Sequence, residues 1–147
     1  MGKIADQSYY NKLQFQIEKL GLSDIVCFLG RVSDKILEDC YQKAEIFTFP
    51  SLLEGYGIVL VEAFNNGLPI ICFDNTAMPY TVIDGYNGFL VKNKDSKDFA
   101  NKIKLLVGNS SLREQLQEGI LKTVEGLKNK DDFESAIKIF IHDINLE

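Results

Sequence analysis

Positive charge is scarce in this chain. Its 147 residues hold 16 lysines and arginines against 21 acidic residues, a net charge of −5, and the only guanidinium groups are those of Arg31 and Arg113. Sequence-independent binding of nucleic acid relies on a basic footprint that releases phosphate counterions, so nucleic acid is excluded as a partner on that ground. Cysteine is sparse too. Cys27, Cys40 and Cys72 are odd in number and lack CxxC spacing, which excludes a disulfide framework and fits small core thiols in a reducing compartment. The single histidine, His142, sits on the last predicted helix and reads as a surface or partly packed residue, not a base. No stretch approaches the roughly 18 consecutive apolar residues of a membrane helix. The opening "MGKIADQSYY" has no apolar signal-peptide core, so a cytoplasmic protein is expected. Internal repeats are absent, as are the GxGxxG fingerprint and the Walker lysine loop, and nucleotide binding of those two kinds finds no support.

What is present is an ordinary globular composition, 46% hydrophobic and 25% charged, in a length that suits one domain with its own core. Tyr9 or Tyr10, Leu13, Ile17 and Leu20 recur at helical spacing up to Gly21. "IVCFLG" (25–30), "IFTF" (46–49), "PIICF" (69–73) and "FLV" (89–91) read as four short strands. Between and after them fall a helix capped by Ser33 or Asp34 and running through Lys43, one over 57–66, one over 97–107 capped by Ser96, and one from Ser110 or Ser111 through about 123. "DDFESAIKIFIHDI" (131–144) is a final amphipathic helix. This alternation predicts an α/β fold, a Rossmann-like, doubly wound parallel sheet with helices on both faces. In that architecture ligands bind beyond the carboxyl ends of the strands.

"FPSLLEGYGIVLVEAF" (49–64) occupies such a position, leaving the second predicted strand. Gly55 and Gly57 remove side chains that would block close approach, and a helix beginning near Gly57 presents unpaired N–H groups suited to a phosphate. Glu62 lies five residues past Gly57, about 7.5 Å along the axis, with its side chain leaning back toward the amino end. It can meet hydroxyls there, most simply those of a ribose beside a bound phosphate, or interact with its own helix dipole. Glu54 precedes the helix. It can cap the N–H groups of the glycine turn, or accept hydrogen bonds from a sugar and oppose positive charge at an anomeric carbon.

"PSLLEGYGIVLVEAF" followed by "NNGLPIICFD" resembles the Glu-x7-Glu segment of the group 1 retaining glycosyltransferases, family 4, which have the GT-B architecture. "DIVCFLGRVSD", "LEDCYQKAEIFTFPS" and "VIDGYNGFLVKNKDSKDFANKIKLLVGN" resemble the same family in order and spacing, over about residues 20–125. The resemblance implies that residues 1–147 are a carboxyl-terminal nucleotide-sugar-binding domain, half of a GT-B enzyme, and that an amino-terminal acceptor domain and an upstream arginine and lysine lie outside this sequence. It implies that Glu54 contacts the donor hexose and helps stabilise the reacting centre, and that Glu62 binds the ribose. Gly55, Tyr56 and Gly57 would shape the sugar pocket, Ile58 and Val59 would offer backbone N–H groups to the diphosphate, and Arg31 would meet the nucleobase through its backbone.

The implied activity is hexosyl transfer from a UDP- or GDP-sugar to a glycan or lipid-linked acceptor in surface polysaccharide biosynthesis. The full-length enzyme would then work in the cytoplasm, with peripheral association at the inner face of the membrane. No cofactor and no metal are expected, in keeping with the lack of a DxD pair or histidine cluster. The isolated fragment is expected to be inactive in transfer. Where the family often reads Gly-Gly-x-Pro-Glu, this chain reads "TAMPY", Thr76 to Tyr80, which leaves open a noncatalytic nucleotide-binding or interaction module. Tyr80 and Tyr86 read as turn and lid packing, and Lys92, Lys94 and Lys97 as a solvated edge.

Overall fold

Alternation of side chains along short apolar runs decides where the core forms. The computed structural model describes residues 6–55 and 57–127, which fall into two compact units, one up to Cys40 and one from Tyr41 onward. In the first unit, α1 (Gln7–Lys19) opens on Asp6, whose carboxylate accepts from the Tyr9 N–H at 3.0 Å. It closes with the Gly21 N–H on the Glu18 carbonyl and the Leu22 N–H on the Ile17 carbonyl, the paired bonds of a Schellman stop. The tyrosine that turns inward is Tyr10, with its ring 5.0 Å from that of Phe28.

The strand expected over "IVCFLG" does not form. The Leu22 carbonyl accepts from both the Ile25 and Val26 N–H groups, so the run starts in a turn, and Ile25, Val26, Phe28 and Leu29 are all exposed. Cys27 is exposed with them and is not a core thiol. Helix α2 (Asp34–Lys43) follows, with the Ser33 hydroxyl accepting from the Ile36 N–H.

In the second unit the remaining predicted strands pair in parallel. They are β1 (Phe47–Phe49), β2 (Ile70–Phe73) and β3 (Gly88–Val91), side by side in that order, with Phe49 beside Cys72 and Cys72 beside Leu90. Helix α3 (Ile58–Asn65) crosses from β1 to β2, and α4 (Met78–Thr81) lies between β2 and β3. Helices α5 (Ser96–Val107) and α6 (Ser110–Leu127) follow. Because side chains alternate along a strand, Ile70 and Cys72 point to one face with Leu60, Phe64, Met78, Val82 and Ile120. Ile71 and Phe73 point to the other face with Phe89, Val91, Phe99, Leu106 and Leu116. Helices therefore cover both faces of a parallel sheet, and the unit is an α/β, Rossmann-like domain.

Burial pushes the Cys72 thiol up to about 12, with the neighbouring Asp74 charge adding to it. Two close approaches lock the layers. A Cβ at Gly88 would land on the Ile70 carbonyl oxygen, and one at Gly119 on that of Tyr86. Fully buried Asn87 accepts from the Ile83 N–H at 2.7 Å and donates to the Thr81 carbonyl and the Thr123 hydroxyl, both at 3.2 Å. Its polar atoms are thereby satisfied.

Candidate functional site

The loop leaving β1 at its carboxyl end delivers the acidic and glycine residues singled out from sequence. Helix α3 starts one residue later than the sequence predicts, because Gly57 is its N-cap in the left-handed conformation (φ 64°, ψ 28°). That conformation suits glycine. A side chain there would also meet Leu60 Cδ1, 3.2 Å from a built Cβ. Gly57 is buried, whereas the space around Gly55 is open, with nothing within 4 Å of a Cβ. Having no side chain, Gly57 cannot cap the helix itself. Glu54, three residues upstream, braces the N-cap residue, its Oε1 accepting the Gly57 N–H at 3.3 Å, while among the described residues no side chain caps the first turn. A carboxylate has about four lone-pair sites, so this bond leaves capacity for further donors. By helix geometry the first-turn N–H groups of Ile58 and Val59 have no carbonyl four residues back within α3. Ile58 is largely exposed and Val59 half-buried.

Glu62 lies on α3 and is exposed, and its Oε2 accepts the Tyr41 hydroxyl at 3.0 Å. Tyr41 packs its ring against Phe47. Burial, then the hydrogen bond to Glu62 and its negative charge, push the Tyr41 phenol up to about 12. Sequence periodicity marks Tyr41 only as an inward residue of α2, and nothing in the sequence links it to a residue 21 positions later.

The loop leaving β2 carries the other residues that sequence reasoning missed. Asn75 Nδ2 donates to the Ser51 carbonyl at 3.0 Å, and Thr76 Oγ1 accepts the Glu54 N–H at 3.3 Å. The two strand-end loops are thus joined through Thr76, the first residue of the segment that departs from the family pattern, and through Asn75 just before it. Within "TAMPY", Met78 is buried in the core and Tyr80 is 91% exposed. Tyr80 therefore makes no packed turn, because α4 buries Met78 and turns Tyr80 outward. Tyr86 is also exposed, though less so, with its carbonyl against α6.

Glu54, Gly55, Gly57, Ile58, Val59 and Glu62 share one loop and helix. Arg31 is exposed and belongs to the first unit. Tyr56 and His142 lie outside the described residues. Lys92, Lys94 and Lys97 are exposed, as a solvated edge requires. Among the described residues no helix is long and apolar enough to cross a membrane.

Three comparisons bear on this arrangement. The sequence model of the family described as "Glycosyl transferases group 1" matches residues 1–123. A capsular polysaccharide biosynthesis glycosyltransferase, CapM of Staphylococcus aureus, is 37% identical over 100 residues, covering 68% of this chain and 26% of that protein. The crystal structure of the C-terminal domain of a glycosyl transferase group 1 family protein, LpcC of Francisella tularensis, superposes with a TM-score of 0.77 at 25% identity, covering 84% of this chain and 64% of that one. A structure of Anabaena Alr3699/HepE in complex with UDP and glucose superposes at 0.72, also at 25% identity, covering 88% of this chain and 37% of that one. The chain spans about a fifth to a third, 20% to 32%, of the length of curated relatives such as these.

Proposed function

Because the chain belongs to the group 1 glycosyltransferases, we propose that it is the donor-binding domain of a retaining, family 4, GT-B hexosyltransferase. Such an enzyme would move a hexosyl group from a UDP- or GDP-sugar to a glycan or lipid-linked acceptor in surface polysaccharide biosynthesis, with the acceptor held by a separate amino-terminal domain. The observation that carries the reading is the left-handed Gly57 opening α3 beside the Glu54 carboxylate, just past the carboxyl end of β1. An anion at that place gains from the first-turn N–H groups and from the helix dipole. The relative that makes capsular polysaccharide and the neighbour holding UDP and glucose support the substrate class and the process.

In this reading the first-turn N–H groups of Ile58 and Val59 receive the diphosphate, and Glu62 accepts the ribose hydroxyls. The Tyr41 hydroxyl, on Glu62 Oε2, holds that carboxylate's plane. Glu54 accepts hexose hydroxyls and opposes the positive charge that develops at the anomeric carbon as the bond to the diphosphate breaks. Gly55, with open space around it, lets the sugar approach the backbone. Arg31 contributes through its main chain to the nucleobase, and Tyr56 shapes the sugar pocket. The acceptor attacks from the face that the diphosphate leaves, and the departing diphosphate takes the acceptor proton. Transfer needs the acceptor domain and closure around the donor, so this domain alone binds donor without turning it over.

Titration of UDP, GDP and ADP into isotope-labelled protein tests the reading. One of them should shift the amide resonances of Gly57, Ile58, Val59 and Glu62, with Arg31 responding to the base. If all three nucleotides leave those resonances in place, the donor-binding assignment is wrong.

A further inference from the structure

A threonine stands in the loop after β2 where the backbone calls for glycine. Among the described non-glycine residues only Thr76 and Lys94 have positive φ, 41° at Thr76. A β-branched side chain in that region is a strained outlier, and such strain persists only where the surroundings over-determine it. The surroundings here form one chain of hydrogen bonds. Thr76 Oγ1 accepts the Glu54 N–H at 3.3 Å and donates to Asn75 Oδ1 at 3.0 Å, and Asn75 Nδ2 donates to the Ser51 carbonyl at 3.0 Å. Between those two anchor points the Ser51 hydroxyl donates to the Leu53 carbonyl at 3.0 Å. Two adjacent side chains thus grip both ends of the tetrapeptide 51–54. Its last residue then reaches forward with Oε1 to the Gly57 N–H.

We propose that Thr76, seconded by Asn75, is the positioning residue for Glu54, fixing the backbone from which that carboxylate is presented to the donor sugar. The inference rests on the assignment of Glu54 to the hexose under the proposed function. A glycine at 76 would adopt the observed φ without strain but would have no hydroxyl for the Glu54 N–H. Threonine keeps the strained backbone and supplies the hydroxyl, so the hydroxyl is what the position is for. With the Glu54 N–H engaged by Thr76, Glu54 has its carboxylate, not its amide, left for the sugar. Thr76 therefore acts on recognition of the hexose and leaves recognition of the nucleotide alone.

Three substitutions separate hydroxyl from shape and strain. Thr76→Val keeps the branching and removes the hydroxyl, Thr76→Gly removes both hydroxyl and strain, and Thr76→Ser keeps the hydroxyl. Two measurements are made on each: hydrogen exchange of the Glu54 amide, and calorimetric affinity for UDP, GDP and ADP against their glucose conjugates. The valine and glycine variants should lose amide protection by about five- to tenfold, the scale of one hydrogen bond. They should weaken the sugar nucleotide by a similar factor while the bare nucleotide stays within about twofold. Serine should restore both. Should valine not fold, glycine, which relieves the backbone, carries the same reading. Unchanged exchange at Glu54, or equal weakening of nucleotide and sugar nucleotide, overturns the proposal. If the unsubstituted protein binds none of the nucleotides, the donor reading fails instead, and the exchange rates still decide whether Thr76 holds the Glu54 loop.

Discussion

Helices α3 and α5 both begin just past the carboxyl end of a strand, β1 and β3, on the same edge of one parallel sheet, yet their amino ends are finished differently. At α5 the cap is Asp95, whose Oδ1 accepts the Asp98 N–H at 3.0 Å, and Asp98 adds a second carboxylate in the first turn. At α3 the cap is a glycine with no side chain, the first turn has no acid, and among the described residues the one carboxylate bonded there comes from Glu54 in the loop. At α5 the Asp95 side chain caps the first turn and the Asp98 carboxylate adds a second negative charge beside it, which offsets the positive end and would repel a phosphate. The end of α3 keeps its dipole for an incoming anion. One sheet edge thus presents a closed helix end and an open one, and the difference comes from a few residues, not from topology.

The contrast can be broken most sharply at Gly57. Gly57→Ala forces a side chain into the left-handed region and toward Leu60, and should destabilise the fold by about 1–3 kcal/mol in denaturant unfolding. Nucleotide binding at α3 should be lost with it. Asp95→Ala opens the other end. It should lower stability by about 1 kcal/mol, while the amide shifts caused by nucleotide at α3 stay as in the parent protein.

The smallest effect is alkaline. The Tyr41 phenol is held at about 12 in the fold against roughly 10 in an unfolded chain, so the fold favours its neutral form. That contribution is complete below pH ~10 and is lost as pH rises toward about 12. Tyr41→Phe should flatten the fall in unfolding free energy between those values, measured by denaturant melts at several pH values. A residual slope should remain from Cys72, whose folded value is also raised to about 12. Tyr41 is half-exposed, and solvent screening keeps its share small.

The sheet was legible because "IFTF", "PIICF" and "FLV" alternate with helical segments, and the same alternation pointed to residues 49–64 as the candidate site at the carboxyl end of a strand. "IVCFLG" has equal β character but forms no ladder, because composition does not say that Leu22 will draw Ile25 and Val26 into a turn. At α5 the cap is Asp95 in place of Ser96, whereas α6 starts at Ser110 as one of the two expected residues, with Asn109 Oδ1 accepting the Leu112 N–H just ahead of it. In the candidate site, the cap by Glu54 on the glycine turn is local, three residues apart, and was one of two sequence readings. The Tyr41–Glu62 and Thr76–Glu54 bonds join residues 21 and 22 positions apart. No helical or strand periodicity encodes such a distance, and the Thr76 contact further depends on a φ that propensity argues against.

The packing of β3 against β2 and of α6 against the loop at Tyr86 has an evolutionary face. Gly88 and Gly119 sit directly against carbonyl oxygens, so every larger residue at either position pries two layers apart whatever its chemistry. A substitution map would therefore show Gly88 and Gly119 intolerant for lack of space, whereas Gly21, Gly30, Gly67 and Gly85, at positive φ with open space around them, resist substitution through backbone strain alone, and Gly57 borders the candidate site. Intolerance at 88 and 119 records the closeness of the layers, and charge or polarity of the replacement will not modulate it. At 57 the penalty has two components, and only there will stability and ligand affinity fall together.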